Sequence, residues 1–269
     1  MSSVSSYSCS GGTSPGRGCE TPPRATGVVS VGEHARHVQA DSRRRVGVID
    51  GDQTLDETLV RFLRAAGPEH TEVQRRMATF ADDQSFPNLG PDAGAVLQLL
   101  ARLTDAETVF EFGSGFGYSA SWFLRGGAGR VILTEHDADE LRRGREFLAD
   151  AGLTERCVFE RGDAMETVDR YGGPFDAVLI DHQKSRYADA FAAVRAKLPV
   201  GGVVVADNVT RGPADFEAVL AHLEDGDPLP DDGQTVGVAD YLQSVRAADD
   251  FETLVLPVGS GLSVSTKVA

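Results

Sequence analysis

Residues 109–119 have the sequence Val-Phe-Glu-Phe-Gly-Ser-Gly-Phe-Gly-Tyr-Ser. A short apolar run, typical of a buried parallel strand, passes directly into three closely spaced glycines, and a helical pattern follows. Glycines at this spacing let the backbone turn sharply and approach a ligand. The stretch therefore predicts a strand–loop–helix unit with a candidate ligand site at its loop, although a plain strand–helix turn has the same local pattern.

Strand–helix alternation continues from this unit to the end of the chain. We predict strands over 108–112, 130–135, 156–161, 175–180, 201–206, 251–257 and 261–267. We predict the intervening helices over 117–125, 138–151, 164–170, 187–198, 213–223 and 238–247. Such alternation is the signature of a doubly wound parallel sheet, and a turn over 257–261 favours a final hairpin. The predicted fold class is α/β and Rossmann-like, with a mostly parallel seven-stranded sheet and a C-terminal antiparallel hairpin.

The N-terminal part of the chain has a different pattern. Helical periodicity begins near Gln53, a second helix is predicted over 69–82 with Pro68 at its start, and a third runs through Leu103. Residues 1–50 are rich in Ser, Gly, Pro and Arg without a sustained apolar period, so we predict a disordered tail. Two alternatives stay open for this segment: it is translated from a start codon placed too early, or it is a targeting arm. The predicted segments are therefore 1–50 (tail), 51–104 (helices that cap the site) and 105–269 (the core that forms it).

The composition limits the possible partners. The net charge of −15 argues against a nucleic-acid partner, which favours a basic surface. Three lysines are present among 26 basic residues, against 41 acidic ones, which suggests a salt-adapted cytoplasmic protein or an ordinary acidic enzyme. No apolar stretch approaches the ~18 residues of a membrane-spanning helix, so no membrane partner is expected. The N-terminus also lacks the apolar segment of a secretory signal.

Three successive strand ends carry groups that suit one ligand. The glycine spacing is G-x-G-x-G, not the G-x-G-x-x-G of dinucleotide binders, and Glu111 before it would repel a pyrophosphate but receive a cationic amino-acid group. Glu135, at the second strand end, is placed for ribose hydroxyls. Asp163 and Ala164, at the third, are placed to border an adenine, and His136 is a further candidate there. S-adenosylmethionine combines these three parts without a phosphate. Taken singly, Glu135 is also a typical helix N-terminal charge and Asp163 a typical N-cap.

Acidic groups also follow the fourth and fifth predicted strands. Asp181 comes directly after one apolar run, and Asp207 and Asn208 come after the next. Because ligands of an open α/β sheet bind at the carboxyl ends of its strands, these groups are expected to converge. Oxygen ligands of this kind suit Mg²⁺ or Ca²⁺ better than zinc. Lys184 lies one turn beyond Asp181, in a chain with few lysines. A helix cap, a turn and a solvated lysine are the alternative interpretations.

Four stretches together resemble the catechol O-methyltransferase-like family of cation-dependent class I enzymes that use S-adenosylmethionine. They are Glu-Phe-Gly-Ser-Gly-Phe-Gly-Tyr-Ser at 111–119, Thr-Glu-His at 134–136, Asp-His-Gln-Lys-Ser-Arg-Tyr at 181–187 and Ala-Asp-Asn-Val at 206–209. The last two are the most specific. The resemblance covers roughly residues 85–267.

The resemblance implies a set of residue roles. Asp181, Asp207 and Asn208 would hold a divalent cation, usually Mg²⁺, and Lys184 would be the general base. The cofactor contacts would be Asn88, Leu89, Glu111, Gly113, Ser119, Glu135, His136, Asp163, Ala164, Asp181 and His182. The acceptor would be a small catechol-like or phenolic molecule. By analogy with close relatives, which are often dimers, the helices over 53–82 are a candidate homodimer surface.

The chain departs from the family pattern in three places. Gln183 stands where the catechol enzymes have a tryptophan, and residues 210–213 and 226–243 align poorly. A late glutamate that contacts the acceptor has no counterpart. These departures concern the acceptor more than the reaction type. The alternative functions are a metal-independent methyltransferase of the same fold and a catalytically silent S-adenosylmethionine-binding protein.

Overall fold

The computed structural model describes residues 57–269, so the predicted tail over 1–50 and the start of the first predicted helix lie outside the described residues. Within this part of the chain, seven strands form one sheet in the order β3-β2-β1-β4-β5-β7-β6. The strands are β1 Thr108–Phe112, β2 Arg130–Glu135, β3 Cys157–Arg161, β4 Ala177–Ile180, β5 Val203–Ala206, β6 Phe251–Leu256 and β7 Leu262–Lys267. The first five are parallel to one another, whereas β7 is antiparallel to both β5 and β6. The predicted sheet and its C-terminal hairpin are confirmed.

Nine α-helices accompany the sheet within residues 57–269. They are α1 Glu57–Ala66, α2 Glu72–Gln84, α3 Gly90–Leu103, α4 Tyr118–Gly126, α5 Ala138–Asp150, α6 Ala164–Val168, α7 Tyr187–Arg195, α8 Phe216–Asp225 and α9 Gly233–Arg246. None of the described helices combines the length and the apolar character needed to cross a membrane.

Three helix starts differ from the sequence prediction by three to five residues. Helix α8 begins at Phe216 and not at 213, and the starts of the second helix and of α9 also differ. The second helix begins at Glu72, not near Pro68, because Thr71 and Gln74 form a capping box that satisfies the first free N–H groups. Helix α9 begins at Gly233, five residues before the predicted start, because the Asp232 side chain accepts hydrogen bonds from the N–H groups of Gln234 and Thr235. In both cases a polar cap, rather than apolar periodicity, sets the boundary.

The sheet separates two apolar cores. On one face, β1 and β2 pack through Val109 and Leu133 against a layer that includes Trp122 of α4. On the other face, Phe110 and Phe112 pack in a layer that includes Tyr187 and Tyr241. Alternate side chains of each strand enter opposite cores, as expected for a parallel sheet that is covered on both faces.

Helices α3 and α4 approach closely through glycines. A Cβ atom on Gly94 of α3 would overlap the indole of Trp122, which is fully buried. A Cβ atom on Gly126 of α4 would lie 2.5 Å from the Gln98 carbonyl oxygen and 2.8 Å from Ala101 Cβ. This packing fixes the loop that precedes α3 relative to the glycine loop that precedes α4.

We expect Gly126→Ala to lower the free energy of unfolding by about 1–3 kcal/mol, because the new methyl group meets main chain that cannot move away without displacing α3. Equilibrium urea denaturation measures this difference. Gly172→Ala is the control, since a Cβ atom there has no neighbour within 4 Å. Equal stability of the two variants would contradict this account of the α3–α4 contact.

Candidate active site

The ends of β1 and β4 touch at the glycine loop. Gly113 has a φ of +82°, and a Cβ atom on it would lie 2.5 Å from the Asp181 carbonyl oxygen. The Asp181 N–H donates a hydrogen bond of 2.9 Å to the Phe112 carbonyl at the same place. Glycine is required here both by the backbone conformation and by the space. The contact places the first and fourth strand ends side by side.

Glu111 is a buried carboxylate beside this loop. Its side chain is fully buried, and neither carboxylate oxygen accepts a hydrogen bond of ordinary geometry. Burial raises its pKa from 4.5 to about 8; the nearby Ser119 hydroxyl opposes this rise, and the negative charge of Asp181 adds to it. A buried carboxyl group without a partner is costly. The site therefore fits a cationic group, such as the ammonium of an amino-acid moiety.

Glu135 is held by the backbone at the end of β2. It accepts hydrogen bonds from the N–H groups of Gly115 (2.9 Å), His136 (2.7 Å) and Asp137 (3.1 Å). It is therefore fixed by main chain that precedes α5, whereas Asp137 caps that helix. Because a carboxylate has about four acceptor positions, Glu135 also retains capacity for a ribose hydroxyl. His136 next to it is exposed.

The end of β3 is tied to the segment after β4 by an ion pair. Asp163 caps α6 through the Met165 N–H (2.8 Å) and pairs with Arg186 at 2.7 Å, and this hydrogen bond is the main reason that the Asp163 pKa is lowered. Ala164 beside it is buried. The ring of His182 stacks on Tyr187, with 5.7 Å between the centroids, and burial lowers the His182 pKa to about 4. The candidate cofactor residues after β3 and after β4 thus lie at the same edge of the sheet.

The other predicted cofactor residues lie at the starts of two helices. Asn88 is exposed, and its side-chain oxygen accepts a hydrogen bond of 2.9 Å from the Gly90 N–H at the start of α3. Leu89 is buried in front of that helix. Ser119 is buried in the first turn of α4, directly after the glycine loop. None of these three positions is in conflict with the predicted entrance and carboxylate contacts, which stay predictions.

Lys184 lies at the centre of the second group of predicted residues. Its side chain is 9% exposed, and its Nζ donates hydrogen bonds to Asp181 Oδ1 (3.1 Å), Tyr187 Oη (2.7 Å) and Asn208 Oδ1 (2.6 Å). The ammonium group therefore reaches Asn208, which lies 24 positions after Lys184 in the sequence. The sequence prediction assigned no role to Tyr187 and missed this contact. Its spacing of three residues from Lys184 was the available signal.

Asp207 and Asn208 complete this group at the end of β5. Asp207 is buried, and its Oδ1 accepts a hydrogen bond of 2.7 Å from the Asn208 N–H. Burial raises the Asp207 pKa to about 7, and the nearby Asp181 charge adds to this effect. Asn208 adopts a φ of +61°, which Asn tolerates better than most residues.

The chemistry of these donors fits a hard cation, since they are two carboxylates and one amide oxygen. Within residues 57–269, no group of three or more His, Cys, Asp and Glu side chains is arranged to hold a metal ion. The candidate set differs from such a group because its third member is Asn208. The role of these three residues as metal ligands stays a prediction.

Comparison with known proteins identifies the family. Residues 66–268 match the O-methyltransferase family. A catechol O-methyltransferase from Mycobacterium tuberculosis is 32% identical over 183 residues, which are 67% of this chain and 79% of that protein. A second one, from Niastella koreensis, is 36% identical over 131 residues, which are 46% of this chain but only 59% of that enzyme. The crystal structure of the O-methyltransferase from Bacillus cereus in complex with SAH superposes with a TM-score of 0.68 at 22% identity, over 78% of this chain and 97% of that one.

The fold and the family match together define a class I, Rossmann-like methyltransferase. The chain belongs to the O-methyltransferase family, and the prediction of an S-adenosylmethionine-dependent O-methyltransferase is confirmed at this level.

We expect Glu111→Gln to become progressively more stable, relative to the natural chain, as pH rises from 4.5 to about 8. Between these values the unfolded chain loses the Glu111 proton while the folded chain keeps it, so the free energy of unfolding of the natural chain falls with pH. Glutamine has no such proton. Urea denaturation of both proteins across this range, without cofactor, measures the effect.

The control for this comparison is Glu224→Gln, which changes an exposed carboxylate at the end of α8. A pH dependence that is the same in both variants would contradict the assignment of the buried proton to Glu111.

Proposed function

We propose that the chain transfers the methyl group of S-adenosylmethionine to a hydroxyl of a small catechol-like or phenolic acceptor, and that the reaction depends on a divalent cation. In this proposal Asp181, Asp207 and Asn208 hold the cation, and Lys184 is the general base. The observation that carries the proposal is the position of Lys184 Nζ, which lies within hydrogen-bond distance of both Asp181 and Asn208. The proposed base and the proposed cation ligands therefore lie together at the carboxyl ends of β4 and β5.

A divalent cation at this place would act as a Lewis acid that lowers the pKa of an acceptor hydroxyl. The donor set supports this role. Burial raises the pKa of Asp207 to about 7, and the charge of the nearby Asp181 carboxylate contributes to this rise. A positive charge beside these two carboxyl groups is therefore favourable. In the absence of other cations, the Lys184 ammonium provides a positive charge here by pairing with the Asp181 carboxylate.

Lys184 must be neutral to accept a proton at Nζ. Two of its three hydrogen-bond partners, Asp181 and Asn208, are also members of the proposed donor set. When these oxygens are engaged elsewhere, they are no longer available as acceptors for Lys184 Nζ. The Tyr187 hydroxyl remains as a partner that fixes the direction of Nζ, because it is buried and donates to the Asp207 carbonyl at 3.1 Å.

The glycine-loop end supports the proposed cofactor position. The cofactor supplies a sulfonium methyl group that can be transferred in one displacement step. Glu111 would receive its ammonium, and Gly113 would let the main chain approach. Glu135 would accept the ribose hydroxyls, while Asp163, Ala164, His136 and His182 would border the adenine. Asn88, Leu89, Ser119 and Asp181 complete the proposed contacts.

Further properties stay proposals. The net charge of −15 suits a salt-adapted cytoplasmic protein, and assays are therefore best performed at high salt. Exposed apolar side chains on α1, Leu59 and Phe62, suit the homodimer surface predicted over 53–82. The division into a tail, capping helices and a catalytic core is likewise a prediction.

We expect EDTA to abolish methyl transfer to a panel of catechols, caffeoyl-type acids and flavonoids, and Mg²⁺ to restore it. Mg²⁺ should also raise the melting temperature of the natural chain, because a ligand that binds the folded state stabilises it, and should not do so in Asp207→Ala. Radiolabelled methyl transfer and thermal denaturation measure the two effects. Turnover that survives EDTA would instead support the metal-independent methyltransferase.

We expect Lys184→Ala to lower kcat by about 10²–10⁴-fold, the range of general-base catalysis, while the affinity for S-adenosylmethionine changes little. The matched control is Lys197→Ala, because the Lys197 ammonium donates to the Val168 carbonyl, away from the candidate site. Isothermal titration calorimetry measures cofactor binding separately from turnover.

Three outcomes of these assays are distinct. Undiminished kcat in Lys184→Ala would contradict its role as the base. Cofactor binding by the natural chain without transfer to any acceptor of the panel would favour the catalytically silent alternative. A loss in Lys197→Ala as large as in Lys184→Ala would show that the assay reports stability instead of catalysis.

A further inference from the structure

Helix α9 contacts the backbone of Lys184 through a glycine. A Cβ atom on Gly237 would overlap the Lys184 carbonyl oxygen and would lie 2.5 Å from Ser185 Cα. Both neighbours are main-chain atoms, so no side-chain rotation relieves the overlap. Gly237 is buried. Only glycine therefore allows α9 to lie this close to the turn that carries Lys184.

The same helix contacts the far end of the Lys184 side chain indirectly. Tyr241 lies one turn after Gly237, and its ring packs edge-on against the Tyr187 ring, with 5.8 Å between the centroids and 81° between the planes. The Tyr187 hydroxyl accepts the hydrogen bond from Lys184 Nζ at 2.7 Å. Both tyrosines are fully buried. We call Gly237 and Tyr241 the α9 support face. Gly237 contacts the backbone of Lys184, and Tyr241 contacts the tyrosine that binds its Nζ.

The start of α9 is itself fixed. Asp232 caps the helix by accepting hydrogen bonds from the Thr235 N–H (2.9 Å) and hydroxyl (2.5 Å). The buried Thr235 hydroxyl oxygen also accepts a hydrogen bond of 2.9 Å from the Asp215 N–H, which precedes α8. The support face is therefore part of a rigid element rather than of a loose loop.

We propose that Gly237 and Tyr241 are positioning residues that set the location of Lys184 Nζ relative to Asp181 and Asn208. This inference rests on the proposed function, in which Lys184 is the base. Neither residue is a catalytic residue, because each acts through Lys184 or Tyr187.

The test compares Gly237→Ala with Gly233→Ala. Both substitutions add one methyl group to α9, but a Cβ atom on Gly233 would lie 3.9 Å from Ser185 Cβ, which is ordinary van der Waals contact. Steady-state kinetics give kcat and KM. Protein labelled with ¹⁵N-lysine gives a second readout without turnover, because the chain has three lysines and therefore three backbone lysine signals. Lys184→Ala and Lys197→Ala assign them.

In Gly237→Ala we expect kcat to fall by about 10- to 100-fold, as displacement of a catalytic group by about 1 Å can cause, with little change in KM for S-adenosylmethionine. The Lys184 amide signal should shift, while those of Lys197 and Lys267 stay in place. Gly233→Ala should match the natural chain in kcat and in all three signals.

Equal kcat and an unshifted Lys184 signal in Gly237→Ala would overturn the inference. If Gly237→Ala does not fold, Tyr241→Leu replaces it, because it relaxes the same face without adding volume. A shifted Lys184 signal with lowered kcat supports the inference in that variant, and unchanged values overturn it. Undiminished kcat in Lys184→Ala would instead contradict the proposed function, so the two failures are distinguishable.

Discussion

A group of buried acidic side chains at one edge of the sheet is the constraint on which the site depends. Glu111, Asp181 and Asp207 lie at the ends of three neighbouring strands, and the pKa values of Glu111 and Asp207 rise to about 8 and about 7. Among the described residues, the Lys184 ammonium is the cation that hydrogen-bonds within this group. Burying acids with so little compensation is unfavourable in the chain alone. It becomes favourable when positively charged ligands bind, which a sulfonium cofactor and a divalent cation both are.

The topology of the sheet explains why these acids meet. Strand β4 pairs with β1 on one side and with β5 on the other, so residues far apart in sequence end at one edge. The close contact between Gly113 and the Asp181 carbonyl then brings the glycine loop and the proposed cation site together. A larger residue at position 113 would separate the two halves of the site. The chemistry therefore depends on a backbone contact as much as on the charged groups.

Much of this arrangement was predictable from the sequence, and the remainder has a common physical cause. Strands such as Val203–Ala206 are short apolar runs because both faces are buried, and their ends locate the acids. The hydrogen bond of Tyr187 to Lys184 and the approach of Gly237 were not predicted, because they depend on tertiary packing that no local period records. The start of α9 was misplaced for a related reason, since Gly233 suggests a turn until Asp232 is seen to cap the helix.

The two stretches that depart from the family pattern, 210–213 and 226–243, lie in different surroundings. Residues 226–243 include most of α9, which packs against the backbone of Lys184, so changes there act on the position of the proposed base. Residues 210–213 are different, because they directly follow Asn208. The N–H groups of Thr210 and Arg211 donate to the Ser260 carbonyl, and a Cβ atom on Gly259 would lie 2.9 Å from the Leu89 carbonyl oxygen. The turn between β6 and β7 thus joins the loop after the proposed cation ligands to the proposed cofactor entrance. Of the two stretches, residues 210–213 are therefore the ones that adjoin both the proposed cation ligands and the proposed cofactor entrance.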